Sequence, residues 1–102
     1  MNSNKALSLL GIAQKAHAVA SGNFAVEQAV RSGDAKLVIV TEDASNNAKK
    51  DLSNITFHYG VPLVTFGTKE TLGTAIGKGE RVCAALLTEG FADAFRKAVE
   101  NK

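Results

Sequence analysis

The amino-acid sequence predicts an α/β sandwich in which four strands interleave with five helices and the helices cover both faces of the sheet. Three observations lead there. Segments of helical periodicity alternate with short apolar or β-branched runs along the chain. The run Lys36–Thr41, KLVIVT, is continuously apolar in its middle, as suits a strand covered on both faces. Glycines and capping residues stand where the helical segments begin or end. The 102 residues, 45% of them hydrophobic, fit one compact domain spanning 1–102.

Ala6–Ala16 reads as the first helix, with either Leu7, Leu10 and Ala13 or Leu9, Ile12 and Ala13 on its inner face. Its apolar stretch Ala6–Ala13, followed by AVAS at Ala18–Ser21, imitates a secretory leader, but only one Lys precedes it and Gln14, Lys15 and His17 interrupt it. A short strand, HAVA, runs from His17 to Ala20. Ser21–Gly33, SGNFAVEQAVRSG, is a glycine-bounded helix. KLVIVT is the second strand, and the helix after it passes through Ala48, Leu52, Ile55 and Tyr59 before stopping at Gly60. Val61–Phe66, VPLVTF, is the third strand, where Pro62 marks a strand start or a sheet edge. Thr68 is placed to N-cap a helix carrying Leu72, Ala75 and Ile76 and ending at Gly77. Arg81–Leu87, RVCAALL, makes the fourth strand. Phe91, Phe95 and Ala98 or Val99 line the last helix.

With 12 Lys and Arg against 10 Asp and Glu, the net charge of +2 demands no polyanionic partner, so any nucleic-acid site has to be a local patch. No apolar run approaches the ~20 residues of a membrane helix, and a cytoplasmic protein with no membrane partner is expected. Cys83, the single cysteine, reads as a small buried hydrophobe. His17 and His58 have no further ligand at metal spacing and read as surface or capping residues. Glu42 and Asp43 follow a strand, where N-capping or first-turn roles for the coming helix account for them. Gly73–Glu80, GTAIGKGE, imitates a phosphate loop. It has one residue too few between its glycines, lacks Ser or Thr after Lys78, and joins a helix to a strand rather than the reverse. What remains is an exposed turn presenting Lys78 and Arg81. The sequence therefore offers no catalytic residue, no metal set and no cofactor loop.

The helix SGNFAVEQAVRSG is more informative. At about 100° per residue, Ala25, Val26, Ala29 and Val30 make one inward face, while Phe24, Gln28 and Arg31 share the opposite side. Gly22 and Asn23 lead into a first turn whose free amides carry roughly half a positive charge. An aromatic ring, an amide and a guanidinium on one stripe suit RNA, provided that Phe24 stands exposed rather than folding under the preceding segment as a staple.

Two further stretches, Leu72–Leu87 (LGTAIGKGERVCAALL) and Ser32–Ser45 (SGDAKLVIVTEDAS), carry a resemblance. The chain resembles the ribosomal L-seven-Ae and L-thirty-e superfamily of small RNA-binding proteins, most closely its bacterial YlxQ-type members, from about Lys5 to Phe95. The resemblance implies a three-layer α/β/α sandwich on a mixed four-stranded sheet and an RNA site made from Gly22–Gln28, Asp43–Asn46 and Lys78–Val82. With Arg31 added from the helix stripe and Lys49 from the basic residues, the candidate RNA-binding residues are Gly22, Asn23, Phe24, Gln28, Arg31, Asp43, Ser45, Lys49, Lys78, Gly79, Arg81 and Val82. Lys15, Arg31, Lys49, Lys50, Lys78 and Arg81 are the candidate phosphate contacts. Members that read kink-turns begin this helix with Gly-x-Asn-Glu and place a Lys three residues after the Glu. Phe24, Ala25 and Gln28 stand there in this chain. The expectation is a monomeric, non-enzymatic protein that binds a structured ribosomal or other non-coding RNA. The alternative is a ribosome- or transcription-associated protein-interaction module on the same fold.

Overall fold

The computed structural model describes residues 2–100, with side chains from Asn4 onward. The elements follow one another as α1 (Asn2–Lys15), β1 (Val19–Ser21), α2 (Asn23–Ser32), β2 (Leu37–Val40), α3 (Asn46–Tyr59), β3 (Leu63–Thr65), α4 (Lys69–Ala75), β4 (Cys83–Leu86) and α5 (Glu89–Glu100). The sheet has the order β1-β4-β2-β3, with β4 antiparallel to both of its neighbours and β2 parallel to β3. This is the mixed four-stranded sheet that the family resemblance implied.

Alternation along the central strands divides the interior in two. Leu37 and Ile39 of β2 and Ala84 and Leu86 of β4 face α1, α4 and α5, where Leu10, Leu72 and Phe95 are fully buried. Val38, Val40, Cys83 and Ala85 face α2 and α3, meeting Val26, Val30 and Leu52. Three layers result. The strands are shorter than the apolar runs that announce them, although Lys36, Thr41 and Leu87 just beyond their ends still donate to neighbouring strands or to residues flanking them. His17, expected to open the first strand, instead occupies a left-handed turn at φ 59°. Pro62 lies just ahead of β3, an edge strand, and its carbonyl accepts the Val38 amide. Thr68 caps α4 through a reciprocal pair of bonds with Thr71.

The directions of the strands fix which loops are neighbours. β1, β2 and β3 finish at the end of the sheet where β4 begins. At that upper end lie the start of α2, the Glu42–Ser45 loop, the start of α4 and the Gly77–Val82 turn. The lower end gathers the C-terminal ends of α1, α2 and α3 and the start of α5.

Candidate nucleic-acid interface

The antiparallel register sets Ser21 opposite Ala84, and Gly22 N–H continues the ladder to the Cys83 carbonyl at 3.0 Å. The end of β1 therefore lies beside the entry to β4, which sets the start of α2 next to the Gly77–Val82 turn. Gly22 turns the chain from strand to helix at φ 91° and ψ 157°, a conformation closed to other residues. The first amides of α2 have no intrahelical acceptor, and no N-cap side chain accepts from them.

Beside them runs a groove of about 530 Å³ walled by Ser21–Ala25 on one side and Glu80–Val82 on the other. Phe24 is 78% exposed, which decides between the staple and the stacking ring. Gln28 and Arg31 are also exposed on the same stripe. Arg81 lines the groove, its Nε donating to Ser21 Oγ at 3.4 Å and its Nη1 to the Glu80 carbonyl at 2.9 Å. Below the rim, the Cys83 thiol donates to Asn23 Oδ1 at 3.3 Å, tying the first residue of α2 to β4. Burial pushes that thiol up to about 11, with the Glu27 carboxylate adding to the rise and the Gly22 amide opposing it.

The remaining candidate residues divide into those that line the same end and those that do not. Gly22, Asn23, Phe24, Arg81 and Val82 share the groove, and Lys78 and Gly79 stand exposed on the turn above it. Asp43, Ser45 and Lys49 lie at the upper end with structural partners of their own. Asp43 Oδ1 accepts the Lys69 amide at 3.0 Å, Ser45 caps α3 by accepting the Ala48 amide, and Lys49 Nζ donates to the Glu42 carbonyl at 2.9 Å. Desolvation raises the Asp43 carboxyl, but the Thr41 hydroxyl, the Lys69 and Asp43 amides and the Lys69 charge together hold it below its ordinary 3.8. Thr41 is fully buried and its main chain is bonded to Val82 and Ala44, but its hydroxyl has no hydrogen-bond partner among the described residues and so acts on Asp43 as a nearby dipole.

Arg31 and Lys15 belong to the other end. Arg31 borders a separate cleft of about 510 Å³ with Lys36, Pro62 and Arg96, some 12 Å along α2 from Asn23 at 1.5 Å per residue. Periodicity identifies the face of a helix but not which end of it joins a site. Ser21 was missed because it has no motif; the β1–β4 register would have revealed it. Phe57, 89% exposed near the C-terminal end of α3, stands away from the basic turn.

The model of the ribosomal protein L7Ae/L30e/S12e/Gadd45 family matches residues 4–95. The chain belongs to that family. Among L7Ae-family relatives, it is 41% identical over 85 residues to the RNA-binding protein YlxQ of Bacillus subtilis, covering 83% of this chain and 85% of that one. It is 30% identical over 100 residues to the RNA-binding protein YlxQ of Enterococcus faecium, covering 98% and 96%. These relatives answer the expected resemblance to YlxQ-type members. A solved Bacillus halodurans protein of unknown function superposes with a TM-score of 0.91 at 36% identity, covering 95% of this chain and 98% of the other. The Giardia lamblia 15.5kD RNA binding protein shares the fold at a TM-score of 0.80 and 24% identity, covering 96% and 84%. No helix among the described residues is long and apolar enough to cross a membrane.

Proposed function

We propose that the chain is a non-enzymatic RNA-binding protein of the cytoplasm that uses its upper end to recognise a structured ribosomal or other non-coding RNA. The exposed Phe24 ring beside Arg81 carries the proposal. An exposed phenyl gains nothing from water, whereas an unstacked base laid on it contributes about 1–3 kcal/mol. Arg81, Lys78 and the uncapped amides of α2 favour the adjoining phosphates. Since Phe24, Ala25 and Gln28 replace the Asn, Glu and Lys of kink-turn readers, stacking takes over from guanine-edge recognition in this reading.

Crosslinking in cells and sequencing of the bound RNA supplies the target. With that RNA transcribed alone, Phe24→Ala is expected to weaken binding about tenfold while leaving the melting temperature within a degree or two. Unchanged affinity would remove Phe24 from the site. Capture from nuclease-treated lysate tests the alternative, since protein partners that persist without RNA would favour an interaction module.

A further inference from the structure

Lys69, the first residue of α4, joins two loops that are distant in sequence. Its N–H donates to Asp43 Oδ1 at 3.0 Å, and its carbonyl accepts the Arg81 N–H at 3.1 Å. A second main-chain anchor of the turn, Lys78 N–H to the Gly73 carbonyl at 2.8 Å, also ends on α4. The setting of α4 thus determines where Lys78 and Arg81 present their charges. The Glu42 N–H bond to the Gly67 carbonyl at 2.8 Å brings the Asp43 loop against the start of that helix.

We infer that Asp43 is a positioning residue for the RNA surface: without touching RNA, its carboxylate fixes the first turn of α4 and, through Lys69, the placement of Arg81. The inference rests on the RNA-binding reading above. Its sign separates it from a simple charge effect. A carboxylate near a polyanion repels it, so removing the charge alone strengthens binding. Removing the acceptor frees the Lys69 amide and loosens the turn, which weakens binding.

Asp43→Asn removes the charge and keeps Oδ1; Asp43→Ala removes both. Affinity for the crosslinked RNA, measured alongside amide hydrogen exchange of the free proteins, distinguishes them. Asp43→Asn is expected to bind at least as tightly as the wild type, and Asp43→Ala at least about fivefold more weakly than Asp43→Asn. The Arg81 amide should exchange faster in Asp43→Ala than in Asp43→Asn, with Ile39 in β2 equally protected in both. In an Arg81→Ala background the gap between the two variants should close to less than about twofold. Equal affinities, or an undiminished gap without the Arg81 side chain, would overturn the inference. If the wild type binds no RNA, the functional reading fails, while exchange still decides the link: equal Arg81 rates in the two variants would break it.

Discussion

Phe24 and Cys83 show how neighbouring apolar side chains at one strand-to-helix junction take opposite roles. Phe24 points out because the inward face of α2 is already filled by Val26, Ala29 and Val30. Cys83 points in, has no exposed surface, and uses its thiol proton to hold Asn23. A thiol pushed up to about 11 stays protonated in the native state well above the ordinary value of 9.0. Folding therefore favours the protonated form. The contribution is fully present below pH 9.0 and is lost as pH rises through about 11, because the unfolded chain ionises first. Denaturant unfolding of the wild type and Cys83→Ala at pH 8, 9 and 11 should show the wild type losing stability relative to the variant only at the alkaline end. Thiol reagents should label Cys83 in unfolded protein and scarcely in native protein at pH 8; rapid native labelling would contradict the buried, bonded thiol.

At the scale of elements, the decisive contact is α4 against the turn that follows it. A methyl group at Gly73 would overlap the Gly79 carbonyl, and main chain cannot swing aside as a flexible side chain can. Gly73→Ala is therefore expected to cost about 1–3 kcal/mol and to reduce RNA affinity by displacing Lys78 and Arg81. Gly90 in α5 has open space where its methyl would go, so Gly90→Ala should stabilise by about 0.5–1 kcal/mol. Urea denaturation of both variants checks the contrast, and equal effects would mean that the turn yields freely. Much of this architecture was legible locally. β2 and β4 came from their apolar runs, α4 from the Thr68 cap, and the start of β3, which is also an edge strand, from Pro62. The roles of Gly73 and Asp43 were not legible. Gly73 resembled part of a phosphate loop, and its neighbour is a carbonyl oxygen six residues on, brought back only by the fold. Asp43 resembled a first-turn charge for α3, whereas its carboxylate serves α4, 26 residues away.

Across the whole molecule, a net charge of +2 provides little general attraction for a polyanion, so where the cations lie matters more than their number. Lys49, Lys50, Lys78 and Arg81 lie at the upper end, near the starts of α3 and β4. Lys15 and Arg31, at the C-terminal ends of α1 and α2, lie at the lower end. Under the proposed RNA-binding reading, an RNA seated against Phe24 would engage the first set and leave the second in solvent. Four phosphate contacts at roughly 0.7–0.9 each give a fall in log affinity with log salt of slope about 3. Lys78→Ala with Arg81→Ala should reduce that slope by roughly 1.5 and weaken binding at low salt. Lys15→Ala with Arg31→Ala removes the same formal charge and should leave the slope unchanged. Titrations from 50 to 300 mM salt compare the pairs at equal net charge, so a difference between them reports position alone. Equal losses would mean that RNA wraps both ends of the sheet, and a wild-type slope near zero would mean that its phosphates are not engaged.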